Sequence, residues 1–449
     1  MEDRIAALLN AASDFVWGWP LVILLFGTHL FLTVRLGFIQ RWIGTGIGLS
    51  VARDGGAEGD VSPFGALTTA LAATIGTGNI YGVSGAVLLG GPGAVLWMWL
   101  TGVFGIATKY AESLLAVKYR VKNERGEMAG GPMYVLEHAL GMRWLGLVFA
   151  AFTAIAAFGI GNMTQANAIA EMVAVQAPTF PKWIVGAILA AGTAAVILGG
   201  IKSIAVVCEL LVPFMTIFYV AGCLIILALD WRTIPDALAL IGSSAFTGQA
   251  AVGGFVGAGI REAMRFGIAR GLFSNESGLG SAPIVAAAAR SENPVRQALV
   301  SSTGTFWDTV VVCALTGLVV VTSGDWSQAG MTKASLCEAA FGRIGWFGTF
   351  LLTGGLLTFV FSTILGWAYY GEKAVEYLFG LRAIAPYRWL WVLAVFVGAV
   401  THIEIVWTFA DVMNGLMAVP NLIALLLLSG VVAAESRKYL PALRGDARG

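Results

Sequence analysis

The chain has 449 residues, of which 58% are hydrophobic, 12% are charged and 58 are glycine. That charged share is about half of what a soluble domain carries, too little to cover a surface of this size with ionic groups. With a net charge of +1 nothing points to a nucleic-acid partner, and the class that remains is an all-α membrane protein.

The opening segment, MEDRIAALLN, lacks the basic region, short apolar core and cleavage site of a signal peptide. The first apolar segment is therefore expected to stay as an anchor. From there the apolar residues come in blocks of about 20 or more, long enough to cross a bilayer. About 11 spans are expected, at 15–36, 64–89, 92–119, 143–174, 182–200, 204–229, 265–289, 295–322, 344–372, 386–402 and 406–434. Helices are required because lipid offers the backbone no hydrogen-bond partners. A β-barrel would alternate apolar and polar residues in short segments, and these blocks are solidly apolar.

Alternating the loops from an outside N-terminus puts most lysines and arginines inside, among them Lys118, Arg120, Lys122, Arg125, Lys373, Arg382, Arg388, Arg437 and Lys438. The positive-inside rule then gives an N-terminus outside and a cytoplasmic C-terminus in the plasma (inner) membrane. One segment dissents. Arg261, Arg265 and Arg270 fall outside on this count, and their spacing suits an amphipathic helix on the membrane surface. Lys109 and Glu112, near a span end, read as an i,i+3 pair at the interface. Of the four cysteines, three (Cys208, Cys223 and Cys313) sit in apolar blocks, and none forms a CxxC pair, so neither a disulfide nor a metal site is expected.

The second and seventh spans differ from the rest. LAATIGTGNIYGVSGA carries Gly76, Gly78, Gly82 and Gly85. ARGLFSNESGLGSAPIVAAAA carries Gly278, Gly280 and Pro283 beside Ser274, Asn275, Glu276 and Ser277. Each glycine costs a helix interior about 1 kcal/mol relative to alanine, although glycine faces also serve close helix packing. The two segments open successive five-helix sets, and five being odd, the second set must be inverted. Paired broken helices at matching places in inverted halves mark a transport site. The expected organisation is an N-terminal peripheral helix and linker (1–62), a first repeat (63–230), a connecting amphipathic segment (231–264), a second, inverted repeat (265–434) and a cytoplasmic tail (435–449).

A broken helix exposes N–H groups at one new end and carbonyls at the other. The N–H groups suit a carboxylate, and the carbonyls suit a hard cation such as Na⁺. Gly76, Thr77 and Gly78 supply the amides, and Asn79 adds a side-chain carbonyl.

IGTGNI resembles the first broken helix of sodium-coupled amino-acid transporters with the five-plus-five inverted-repeat fold. GGPGAVLWMW (90–99), GNMTQAN (161–167), ARGLFSNESGLGSAP (269–283) and FSTILGWAYYGEK (361–373) resemble the alanine/glycine:cation symporter family more closely. Leu96 stands where that family usually has phenylalanine. The resemblance covers residues 64 to 373 at least. It implies secondary active transport by alternating access, Na⁺-coupled symport of a small neutral amino acid such as alanine or glycine, and no cofactor besides the coupling ion. Thr77 and Gly78 would hold the substrate carboxylate, Gln165 would contact substrate, and Phe273 and Trp367 would wall a small pocket. The carbonyls of Ala72, Ile75 and Phe359 with the hydroxyls of Ser362 and Thr363 would hold Na⁺. Without the resemblance, those hydroxyls bond back to the preceding turn, a common habit in membrane helices.

Three acids, Glu209, Glu276 and Asp308, lie within spans, where an ionisable group is expensive and functional by default. They are expected to brace the breaks. Glu276 could instead carry a proton, which keeps a proton-coupled carrier open, as is a facilitator that couples to neither ion. A hydrolase is disfavoured because Asn275 breaks a GxSG pattern at Ser277, no HExxH occurs, and His29, His138 and His402 have no serine paired with them by spacing. A channel would need continuous pore-lining polarity.

Overall fold

The computed structural model describes residues 2–52, 56–247, 259–291, 293–401 and 404–446. The chain opens with α1 (Glu2–Val16), α2 (Trp19–Arg35), a 3₁₀ turn (Ile39–Trp42) and α3 (Ile43–Ser50). The first broken helix follows as α4 (Pro63–Thr74) and α5 (Val83–Gly90), joined through a π turn at Gly78–Gly82. Next come α6 (Gly93–Lys118), a two-residue hairpin of β1 (Val121–Lys122) and β2 (Met128–Ala129), α7 (Pro132–Leu140) and α8 (Arg143–Phe158). A π turn at Gly159–Met163 leads into α9 (Thr164–Gln176), and then α10 (Lys182–Ile197), α11 (Gly200–Leu229) and α12 (Ile234–Thr247). The second broken helix is α13 (Ile260–Asn275) and the short α14 (Pro283–Ala286). After it run α15 (Pro294–Thr305), a π segment (Phe306–Cys313), α16 (Ala314–Ser323), α17 (Lys333–Gly342), α18 (Trp346–Phe379), α19 (Ile384–Val400), α20 (Glu404–Leu427) and α21 (Ser429–Asp446).

Local chemistry sets these boundaries. Ser62 accepts from the Gly65 amide at 2.8 Å with Pro63 opening α4, and Asn293 accepts from the Arg296 amide at 2.9 Å with Pro294 opening α15. Both pair a short oxygen-bearing cap with a proline whose missing N–H costs nothing at a first turn. Gly141 and Gly324 close α7 and α16 in the left-handed conformation that glycine adopts without strain.

Seven helices among the described residues are long and apolar enough to cross a membrane, and the bent pair α4–α5 makes up to eight. The protein is thus a multi-pass helical membrane protein. Its outer face confirms the solvent: α11 exposes Leu210, Phe214, Ile217 and Leu224 while burying Cys208, Val212, Met215, Tyr219 and Cys223. A helix apolar on both faces belongs in lipid.

Two expectations need correcting. Lys109 and Glu112 do pair across one turn of α6, at 3.5 Å, but their side chains are only 3% and 1% exposed. They lie in the core because α6 is wrapped by α13, α15, α2 and α12. The arginine segment is not a separate surface helix either. Arg261, Arg265 and Arg270 belong to α13, which packs on α6 and α5 as the first half of the second broken helix. Residues 248–258 of the connecting segment, and His402, lie outside the described residues.

Candidate functional site at two broken helices

The first break begins where α4 stops. Ile75 caps α4 in an extended conformation, and the chain bends by 53° before α5. Thr77 and Gly78 start the second half, so their amides are first-turn donors with no carbonyl behind them in the helix. Both residues line a cavity of about 210 Å³, walled by Tyr81, Phe273 and Trp407 and bordered by Arg270 and Lys333. Phe273 reaches it from the end of α13, and a Cβ added to Gly78 would lie 3.6 Å from the Phe273 ring. Any side chain larger than a methyl at Gly78 would meet that ring.

Asn79 is 0% exposed and turned inward. Its Oδ1 accepts from the Gly76 amide at 2.8 Å, so its carbonyl is used within the break and does not face the cavity. Its Nδ2 donates to Asp308 Oδ1 at 2.6 Å. The other Asp308 oxygen accepts from Ser274 at 3.0 Å and Thr309 at 2.6 Å. One carboxylate in the π segment after α15 thus ties the first break to the end of α13.

On the opposite side of the break, α4 meets α18. Ser362 Oγ donates to the Phe359 carbonyl at 2.8 Å and lies 3.4 Å from that of Ala72. Thr363 Oγ1 donates to the same Phe359 carbonyl at 2.9 Å and lies 3.4 Å from that of Ile75. Each hydroxyl makes the back-bond its helix favours and still presents lone pairs to the end of α4. The five oxygens expected from the sequence therefore share one buried locus, and a set of neutral oxygens suits a hard monovalent cation. Close backbone approach builds this locus. A Cβ on Gly366 would sit 2.6 Å from the Ala73 amide nitrogen, and one on Gly76 would sit 2.7 Å from Thr363 Oγ1.

Gln165 and Trp367 are elsewhere. Neither lines the 210 Å³ cavity. Gln165 is buried, with Nε2 donating to the Ile160 carbonyl at 2.9 Å and Oε1 without a partner. Trp367 is 1% exposed, packs edge-on against Tyr370 and presses directly on Gly161, in the π turn that leads to Gln165.

The second break runs from Glu276, a non-glycine residue held at φ 55, through Gly278 and Gly280 at φ +89 and +87. Glutamate rarely adopts that backbone unless its surroundings hold it there. Here Ser281 donates to the Glu276 carboxylate at 2.5 Å, and Ser277 donates its amide to Asn275 Oδ1 at 2.9 Å. Glu112 of α6 accepts from the Gly278 amide at 3.2 Å and from Asn421 of α20 at 3.0 Å, and Asn421 also donates to the Gly278 carbonyl at 2.9 Å. Glu209 accepts from Ser62 at 2.6 Å, at the head of α4. Glu276 and Asp308 brace the breaks as expected and Glu112 joins them, whereas Glu209 holds the N-cap of α4, at the opposite end of that helix from the break.

Residues 2–448 match the sequence model of the sodium:alanine symporter family. The chain belongs to that family. It is 51% identical over 453 residues to the sodium/alanine symporter AgcS of Methanococcus maripaludis, covering 98% of this chain and 99% of that protein. An uncharacterized transporter of Haemophilus influenzae is also 51% identical, over 446 residues, covering 98% and 97%. The probable sodium/glutamine symporter GlnT of Bacillus subtilis is 35% identical over 446 residues, covering 98% and 91%. The protein is a membrane transporter and not an enzyme, and its family couples amino-acid transport to sodium.

The clasp of Glu112 and Asn421 on the transporter's second break was not readable from spacing. The two residues are 309 positions apart, and the only local signal was a carboxylate inside an apolar helix. Asp308 gave the same signal and is the more testable of the two. Asp308→Asn keeps the shape but turns one acceptor into a donor that faces other donors. Losing charge-assisted bonds of about 1.5–3 kcal/mol predicts substrate affinity weakened by roughly tenfold or more, with the protein still inserted. Uptake kinetics measure it, and an unchanged half-saturation concentration for substrate would leave Asp308 a packing residue.

Proposed function

We propose that this transporter carries alanine or glycine into the cell together with Na⁺, by alternating access between inverted repeats at 63–230 and 265–434. The N-terminus is outside, the C-terminus is cytoplasmic, and the membrane is the plasma (inner) membrane. The observation that carries the reading is the double use of one break. Its amides at Thr77 and Gly78 open on a small cavity, while its carbonyls at Ala72 and Ile75 face two hydroxyls of α18. A zwitterion's carboxylate and a sodium ion would complement the two ends of the same interruption. Binding either one orders the break for the other, which is the physical content of coupling.

Phe273 in the cavity wall limits the side chain to little more than a methyl group. Gln165 and Trp367, on either side of Gly161, would close on substrate from the α9–α18 side. The likeness to a named sodium/alanine symporter at 51%, against 35% to a probable sodium/glutamine symporter, favours the smaller substrate.

Proteoliposomes given labelled alanine, with and without an inward Na⁺ gradient, test the function. Accumulation is expected only with the gradient. Alanine and glycine should compete for it, leucine and phenylalanine should not, and ethylamine should fail for want of a carboxylate. Uptake that follows a pH gradient and ignores Na⁺ would make the protein a proton-coupled carrier. Uptake that equilibrates with neither gradient would make it a facilitator.

A further inference from the structure

A further cavity lies away from the breaks. It measures about 510 Å³ and lies where the end of α2, the 3₁₀ turn after it and α21 converge. Three arginines line it: Arg35, Arg41 and Arg437. No aspartate or glutamate does, and among the described residues none of the three arginines has an ion-pair partner. The nearby Glu435 is engaged by Lys118 at 2.7 Å. Arg437 spends one N–H on the Ala433 carbonyl at 3.3 Å, which leaves most of its guanidinium free.

The backbone brings these charges together at some cost. Gly37 and Phe38 are consecutive left-handed residues, at φ 62 and 59, and a bulky side chain seldom accepts that conformation. The reversal directs Arg35, before it, and Arg41, after it, into one cavity. Phe38 itself is 59% exposed, and Val34 on the same stretch is 70% exposed. Like charges gathered beside apolar surface at a helix end call for a ligand with an anionic head and an apolar tail. Arginine's planar fork matches the oxygens of a phosphate.

We propose that this cavity binds the phosphate of an anionic phospholipid, whose acyl chains lie against Val34 and Phe38, and that the lipid ties the N-terminal helices to α21. The site is independent of the substrate reading, and its test does not require transport.

The full-length protein, purified in a neutral detergent, is titrated with phosphatidylglycerol, phosphatidylcholine and inorganic phosphate, and bound lipid is read by native mass spectrometry. Phosphatidylglycerol should bind at least tenfold more tightly than phosphatidylcholine, and less tightly as salt rises. Each arginine near a membrane surface contributes about a fivefold factor, so the triple variant Arg35→Gln, Arg41→Gln, Arg437→Gln should lose roughly a hundredfold. If that variant fails to fold, Arg41→Gln alone should lose about fivefold, while Arg41→Lys keeps most of the affinity. Equal binding of the two lipids would overturn the proposal, as would wild-type affinity in the glutamine variants. Displacement of phosphatidylglycerol by equimolar inorganic phosphate would make the cavity a site for a soluble anion and refute the lipid.

Discussion

Replacing Gly366 by alanine is expected to cut sodium-driven uptake by about an order of magnitude or more, although the change adds a single methyl group. A Cβ at that position lies 2.6 Å from the Ala73 amide nitrogen and 2.9 Å from its Cα. These are backbone atoms of α4, which cannot rotate out of the way as a side chain does. Restoring ordinary contact requires α4 and α18 to part by several tenths of an ångström, and overpacking of this kind costs roughly 1–3 kcal/mol. The strain falls one turn from Ser362 and Thr363, whose hydroxyls already lie 3.4 Å from the Ala72 and Ile75 carbonyls. A cation held by all five oxygens would lose the ones that recede. Uptake by Gly366→Ala should fall by at least an order of magnitude at physiological Na⁺, with partial recovery at high Na⁺. Gly242→Ala is the control, because a Cβ there meets nothing within 4 Å. Wild-type Na⁺ dependence in Gly366→Ala would mean that the close approach of α4 and α18 does not build the cation site.

How much of this could be read from the sequence depends on whether the signal was local. The first break announced itself through glycines at 76, 78 and 82, because interrupting a helix requires residues that weaken it. The five oxygens of the cation locus were reached only through the family resemblance of FSTILGW, since the hydroxyls of Ser362 and Thr363 taken alone read as bonded back to the preceding turn. Neither step revealed the fit of Gly366 on Ala73, since a lone glycine in an apolar helix looks the same whether it meets lipid or backbone. Lys109 and Glu112 show the converse error. An i,i+3 pair near the end of an apolar block is an interface pair in most helices, and only the tertiary wrapping of α6 buries this one. Asn421 supplies the missing partner from the far end of the chain. The π turns at Gly159–Met163 and Phe306–Cys313 were equally silent, because a one-residue insertion in a helical ladder leaves the hydrophobic pattern nearly unchanged. They matter because the first leads into Gln165 and the second carries Asp308.

Removing both hydroxyls, in a Ser362→Ala, Thr363→Ala variant, is expected to uncouple transport while leaving the fold intact. The hydroxyls point into protein, bond only to Phe359 at short range and are replaced by smaller groups, so insertion should survive. What is lost is sodium affinity. One Na⁺ moving inward gains about 2.3 kcal/mol per 100 mV of membrane potential, and a tenfold gradient adds about 1.4 kcal/mol. Together, about 3.7 kcal/mol sustains accumulation of a zwitterion on the order of several hundredfold at one-to-one coupling. The wild type should approach that ratio in energised vesicles, and the double variant should fall toward equilibration. Linkage adds a second, stricter expectation. If Na⁺ tightens alanine binding by some factor, alanine must tighten Na⁺ binding by the same factor. Titrating alanine at several Na⁺ concentrations, and Na⁺ at several alanine concentrations, should return one coupling factor for the wild type and a factor near one for the variant. Alanine affinity in the wild type that ignores Na⁺ but tracks pH would transfer the coupling role to Glu276, the strained carboxylate of the second break. The Ser362 and Thr363 hydroxyls would then be what their shortest bonds already make them, ties to the preceding turn of α18.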